Sequence, residues 1–355
     1  MKKSLIALAA LAAVSAASAQ SSVTLYGRLD AGYQQTKTTV FDNAGNSGTI
    51  KVNGIQSNGL STSMWGLKGS EDLGGGLKAN FVLEGSVDVA SGPSSLNFTR
   101  DSTIGLSGGF GAARIGRSYT PLYRTVYAGD VFGTVGATTV NFYPDGVRAS
   151  NAFFYDSPDM GGFSAGLMVG KNDATVTTST TGNTFVAKSD VLGFNMGYAN
   201  GPLMVMLGYG SIKGEVLNPP ATPLLTAGKI TGAALSATYD LGVAKLYANL
   251  TDGKNQGNTA VNSYNKSREA NFGVSVPMGA ITLLAGVGRN TSTATVAGVD
   301  SEKQTGNDFV VGATYSLSKR TTAYVKAGDF NKLGATTTAL GTKTRAGAIG
   351  LRHTF

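Results

Sequence analysis

Short runs that alternate apolar with small or polar side chains, each closed by a turn, recur from residue 22 to the terminal Phe355. Successive side chains of a strand point to opposite faces, so each such run has one apolar face and one polar face. In the first run Val23, Leu25, Leu29, Ala31 and Tyr33 share one side, and Thr24, Tyr26, Arg28, Asp30 and Gln34 share the other. Burying Arg28 and Asp30 in the dry core of a soluble sandwich would be costly, whereas lipid outside and a watery lumen inside accept both faces. After residue 19 no stretch approaches the roughly 18 consecutive apolar residues of a membrane helix. A closed barrel is then the one spanning structure left, because a bilayer cannot satisfy an open sheet edge.

Sixteen candidate strands follow, near 22–36, 60–70, 77–88, 98–108, 110–118, 148–156, 162–171, 189–199, 202–212, 229–240, 243–252, 268–277, 280–290, 307–317, 321–330 and 343–355. The number is even, as single-chain bacterial barrels require. Connections alternate in length. Short turns such as EDLGGG (71–76), NGP (200–202) and PMG (277–279) lie between longer polar stretches at 37–59, 172–188, 213–228, 253–267, 291–306 and 331–342. Short turns on one side and long loops on the other are the topology of a transmembrane barrel. One connection, 118–147, is long yet carries Tyr119, Tyr123, Tyr127, Phe132, Phe142 and Tyr143, which suits a loop packed on the inner wall better than a free surface loop.

The N-terminus sets the compartment. Lys2 and Lys3 precede an apolar run from Leu5 to about Val14 that ends at Ala17-Ser18-Ala19, so residues 1–19 read as a cleaved signal peptide and 20–355 as a single barrel domain. Export would permit disulfides, but the chain has no cysteine. Its only histidine is His353, so neither a serine hydrolase with a histidine base nor a zinc site can be assembled. The expectation is a channel, with no catalytic residues, metal or cofactor. The clusters GGG (74–76) and SGGFG (107–111) lack the following Lys-Ser/Thr of a phosphate loop and read as hairpin turns. The chain's net charge of +8 falls to +6 without Lys2 and Lys3, and it is dispersed among strands and loops, which argues against nucleic-acid binding.

The segments LYGRLDAG (25–32), WGLKGSEDLGGGLKA (65–79), IGLSGGFG (104–111), SYTPLY (118–123), SLSKRT (316–321) and GLRHTF (350–355) together resemble the general porins of β-proteobacteria and their neisserial relatives. The resemblance implies an all-β, 16-stranded antiparallel transmembrane β-barrel in the outer membrane. It also implies a homotrimer and a third external loop folded inward to narrow the pore. Phe355 resembles the terminal aromatic that family members present to the outer-membrane assembly machinery; a simple aromatic at the bilayer rim is the alternative.

A passive pore depends on the charges at its narrowest point. Alternation points Arg28 inward, places Glu84 on the lumen face with Lys78 and Asn80, and puts Arg148 at the start of the strand after 118–147. The resemblance sets a basic wall against carboxylates on the third loop, best matched by Asp130 and less closely by Asp145. It also places Arg100 in that wall, although Arg100 shares its phase with Ile104 and Leu106. Family members commonly carry an arginine just before the WGL segment, where this chain has Met64. Lys68 and Arg114, both in lumen phase, could compensate; each of these charges could equally be an ordinary solvated lumen residue. The expected function is passive diffusion of ions and small hydrophilic solutes with an anion preference. The alternatives are a solute-selective channel or an adhesin built on the same barrel.

Overall fold

The computed structural model describes residues 22–41, 46–92, 97–133, 146–177, 184–217, 228–257, 264–296, 298–300, 303–332 and 341–355. Residues 1–19, read as a signal peptide, lie outside them, as does Asp145. In chain order the elements are β1 (Ser22–Phe41), β2 (Ser47–Ser57), β3 (Met64–Gly74), β4 (Leu77–Ser86), β5 (Asp101–Gly108), β6 (Gly111–Tyr119), α1 (Pro121–Ala128), β7 (Arg148–Asp156), β8 (Phe163–Thr177) and β9 (Thr184–Asn200). They continue as β10 (Leu203–Leu217), β11 (Gly228–Asp240), β12 (Lys245–Gly257), β13 (Tyr264–Met278), β14 (Ile281–Val296), β15 (Val299–Asp300), β16 (Gln304–Ser316), β17 (Thr321–Lys332) and β18 (Gly341–Thr354).

All eighteen strands form one antiparallel sheet, which closes where β1 pairs with β18 from Arg28↔Thr354 to Phe41↔Gly341. Closure leaves no edge to face lipid. The barrel has sixteen strands. β2 and β3 pair with successive parts of β1 and make one interrupted strand, and β15 is a two-residue strand within the connection from β14 to β16.

Polarity is the inverse of a soluble fold. Val23, Leu25, Ile104, Phe163, Val287 and Ile349 are exposed on the outer face, while Asn195, Ser236, Thr238, Asn249, Asn271 and Lys326 are buried on the inner one. Tight turns close one end, where Gly74, Gly75 and Gly76 adopt positive φ (85°, 62° and 80°) that a side chain would disfavour.

The long polar stretches are mostly strand. β1 runs to Phe41 and β2 fills 47–57; β8 reaches Thr177 and β9 begins at Thr184; the stretches at 213–228, 253–267, 291–306 and 331–342 likewise shrink to short connections between lengthened strands. Alternation marks only the lipid-embedded part of a strand. Above the bilayer both faces meet water, so the period fades while backbone pairing continues.

Two features shape the inner face. Between β2 and β3 the chain leaves the sheet at 58–63 and is pinned by Asp30, which is fully buried. The Asp30 carboxylate accepts hydrogen bonds from the backbone N–H of Gly59 (3.1 Å), Leu60 (3.0 Å) and Ser61 (2.6 Å), from Ser61 Oγ (3.2 Å) and from Tyr324 Oη (2.7 Å). This is how a buried anion becomes tolerable.

The second is α1, within the segment read from the sequence as a loop packed on the inner wall. Thr120 Oγ1 accepts from Tyr123 N–H (3.1 Å) as N-cap, and Pro121 occupies the first turn, where its missing N–H costs nothing. Leu122 and Val126 are buried against Ala234 of β11. Asn195 Nδ2 donates to the Pro121 carbonyl (3.3 Å) and Asn249 Nδ2 to the Val126 carbonyl (3.2 Å). A β-carbon on Gly208 would lie 2.3 Å from Thr125 Oγ1, so only glycine admits the helix this close to β10. Beyond α1, Phe132 packs with Val310 and Phe330.

Candidate functional site

At the level of α1 a cavity of about 780 Å³ spans from β1, β3 and β4 across to β12, β14 and β16. Arg28, Met64, Glu84, Arg100 and Arg352 line one side, Tyr247, Thr282 and Thr314 the other, and Tyr119, Tyr123, Arg124, Tyr127 and Asp130 complete the wall. Four guanidinium groups thus face two carboxylates in one lumen section.

Arg28 comes from β1 in the phase that alternation assigned it. Its Nε donates to the Thr62 carbonyl (3.1 Å), so the Asp30-pinned segment fixes its direction. Arg100 also points inward. β5 begins only at Asp101, and Arg100 sits at the bend before it, bonding by its N–H to the Glu84 carbonyl (3.0 Å), so the strand phase does not govern its side chain. Arg100 Nε meets Glu84 Oε1 at 2.6 Å, and Tyr26 Oη donates to Glu84 Oε2 at 3.2 Å. Glu84 is therefore paired beside the basic wall rather than placed across the gap from it.

Tyr119 joins two of the cations. Arg100 Nη2 donates to its hydroxyl (3.1 Å), and the Arg148 guanidinium lies 4.1 Å from its ring centroid. Tyr119 in turn stacks on Tyr123 at 4.9 Å. Arg148 thus stands behind the tyrosines rather than on the cavity wall. The aromatic side chains at 119, 123 and 127 line the lumen, and Tyr119 holds the Arg148 guanidinium over its face, the cation–π use of such a ring.

Asp130 closes the turn after α1: its Oδ1 accepts from Phe132 N–H (2.9 Å), and it lies within electrostatic reach of Lys326. Asp145 lies outside the described residues, so only Asp130 of the two loop carboxylates has a described position.

Lys68 and Arg114 are not on the cavity wall. Lys68 is paired with Thr24, four residues from Met64 toward the tight-turn end, and its ammonium lies 5.2 Å from the Tyr26 ring centroid. Arg114 is engaged by Asp156, which also binds Arg124 Nη1 at 2.7 Å. Asp156 thereby ties α1 to β6 and β7. Burial lowers the pKa of Arg124, opposed by the Asp156 carboxylate, and the high intrinsic value of arginine keeps it charged.

Sequence reasoning did not nominate Arg352, Arg124 or Asp156. Arg352 was legible, since it alternates with Leu351 and so faces the lumen; its Nη2 donates to Thr322 Oγ1 (3.3 Å). Arg124 carried no such signal, because a loop has no strand phase and a helix of eight residues has little periodicity to read.

Comparison with known proteins agrees with this architecture. The family model for Gram-negative porin matches residues 7–334. Outer membrane porin protein 32 of Delftia acidovorans is 35% identical over all of both chains, and major outer membrane protein P.IB of Neisseria meningitidis is 32% identical, also over all of both. Among solved structures, the anion-selective porin from Comamonas acidovorans superposes with a TM-score of 0.71 at 31% identity, covering 95% of this chain and 100% of that one. A closed sixteen-stranded barrel, a charged lumen and this similarity along the whole chain lead to one assignment: the protein belongs to the Gram-negative porin family and is an outer-membrane channel.

Proposed function

We propose that this porin is an anion-preferring general diffusion channel whose narrowest section lies at α1, with residues 118–147 acting as the constriction loop. The cavity at that level carries the reading: Arg28, Arg100, Arg124 and Arg352 against Glu84 and Asp130 leave an excess of positive charge in a passage for small ions. Fixed charges at a constriction raise the local concentration of counter-ions and orient dipolar solutes. The anion selectivity named for the Comamonas acidovorans porin points the same way. Arg148, behind Tyr119, adds to the positive field without lining the wall, while Lys68 and Arg114 act outside the narrowest section. No bond-making chemistry is assigned to any of these residues.

The same reading extends to assembly. The channel works as a homotrimer, and Phe355 is the residue by which the outer-membrane assembly machinery recognises the chain. The Phe355 backbone exchanges hydrogen bonds with Gly27 (3.0 and 3.2 Å), so the last residue completes the seam between β1 and β18. Reversal potentials in a salt gradient across a planar bilayer test the channel reading. A potential of anionic sign supports it and a clear cationic one overturns it. Current steps arriving in threes support the trimer.

A further inference from the structure

The lumen section at α1 is cationic on one side and apolar on the other. Arg28, Arg100 and Arg352 stand toward β1, β4 and β18, and Tyr247, Leu284, Val131 and Phe132 stand toward β12 to β14. Bare glycine backbone admits the last two to that wall. A β-carbon on Gly273 would lie 2.6 Å from Val131 Cγ1, and one on Gly286 3.6 Å from Phe132 Cε2. Leu284 packs on the same group of Phe132, Val310 and Phe330. A small inorganic ion keeps its water and gains nothing from this apolar side. A solute with an anionic end and an apolar body gains from both sides.

Tyr127 lies in the same cavity. It is 50% exposed, whereas Tyr123 one helical turn before it is 7% exposed. Strand aromatics of comparable exposure, such as Phe163, Phe272 and Phe309, point to lipid, so Tyr127 is set apart by offering its ring to the lumen. It ends a row of three rings, with centroids 4.9 Å apart from Tyr119 to Tyr123 and 6.2 Å from Tyr123 to Tyr127. Arg28 lies within electrostatic reach of Tyr127, Arg100 and Arg352. Thr62 holds only Arg28 Nε, and the two Nη groups have no hydrogen-bond partner among the described residues. An open guanidinium fork thus stands beside an open aromatic ring.

We infer that this section favours planar aromatic monocarboxylates among the anions it passes, with the carboxylate on the Nη groups of Arg28 and the ring stacked on Tyr127. The inference rests on the reading of α1 as the narrowest section and names the solute class which that section prefers. A guanidinium fork pairs bidentately with a carboxylate, and two aromatic rings attract beyond the area they bury. Tyr127 is then a specificity-determining residue of the channel, since the guanidinium groups alone attract every anion alike. Each contact is single and lies beside water, so the solute is held weakly enough to leave, as permeation requires.

A planar bilayer holding the assembled channel, with sodium benzoate on one side and sodium acetate on the other, tests the inference, because the reversal potential reads the permeability ratio of the two anions. Sieving by size alone favours acetate. Benzoate should instead lead by about threefold in the wild type. Cyclohexanecarboxylate, of similar size but not planar, should trail acetate. Tyr127→Ala should erase the lead of benzoate although it widens the passage, which sieving would turn to the advantage of the larger anion; Tyr127→Phe should retain it. Leu283→Ala, on the lipid face beside Leu284, should leave the ratio unchanged, and open-channel current from each variant shows that it is folded. Acetate leading in the wild type, cyclohexanecarboxylate matching benzoate, or a benzoate ratio that holds or rises in Tyr127→Ala overturns the inference. The reversal potential in potassium chloride separates it from the channel reading: an anionic sign with acetate in the lead overturns this inference alone, and a cationic sign overturns both.

Discussion

Met64 stands directly opposite Arg28 across the β1–β3 pair, and both side chains line the cavity beside α1. A neutral thioether therefore occupies a place in the basic wall where a guanidinium would sit against a like charge. Met64→Arg adds one cation to the cavity proposed as the constriction and fills part of it. Anion preference, measured as reversal potential, should rise and single-channel conductance should fall. Unchanged values of both would confine selectivity to the other charges.

Glu84 holds Arg100 at 2.6 Å with both side chains largely buried. Glu84→Gln keeps the size and removes the negative charge, so the lumen gains one net positive charge and anion preference should increase. Removing one partner of such a pair costs up to about 3 to 5 kcal/mol in a dry core. Water in the lumen reduces that figure, so a loss on the order of 1 kcal/mol in chemical unfolding of the barrel is expected. Glu84→Gln/Arg100→Gln should recover most of the stability and lower the anion preference below that of the single variant.

Asp30 and Tyr324 lock residues 58–63 against the wall. Tyr324→Phe deletes one hydrogen bond to a carboxylate, worth about 1.5 to 3 kcal/mol. Asp30→Ala deletes all five and leaves three backbone N–H groups seeking water. Its midpoint of unfolding should fall further than that of Tyr324→Phe. Because Thr62 O also holds Arg28 Nε, Asp30→Ala should raise open-channel current noise as well. A quiet channel with an unshifted midpoint would show that the segment is held by other contacts.

Gly208 and Asn249 govern the seat of α1. Gly208→Val places methyl groups where Thr125 now sits, so the helix must move away from β10 and into the passage, and conductance should drop. Asn249→Ala removes the bond to the Val126 carbonyl and should destabilise the closed packing, seen as flickering. A substitution at the outward-facing Leu207 next to Gly208 serves as control and should leave conductance alone.

Phe355 lies over the bare α-carbon of Gly27, where an added β-carbon would come within 2.3 Å of the phenyl ring. Deleting Phe355 should lower the yield of assembled barrel in the outer membrane, scored by protease resistance. If recognition depends on the aromatic ring rather than on the seam hydrogen bonds, Phe355→Tyr restores the yield and Phe355→Ala does not.

The alternation recurring along the chain, with no stretch long enough for a membrane helix, was enough to determine a barrel with lipid outside and water inside, and from Val23 to Gln34 it turned Arg28 toward the lumen, because a strand's two faces are a property of its own backbone. Arg352 could have been read in the same way from Leu351. Strand ends could not, since pairing above the bilayer proceeds without any polarity contrast to mark it. Arg100 turned inward because the chain bends before β5, a consequence of its neighbours and not of its phase. The grouping of Arg124 with Arg28, Glu84 and Asp130 depends on an eight-residue helix whose stability comes from Ala234, Asn195 and Asn249, residues at least 67 positions away in the chain. Local sequence sets which way a strand side chain points. Only closure of the sheet decides which charges meet, because the partners that fix α1 and the 58–63 segment are brought together by the barrel wall alone.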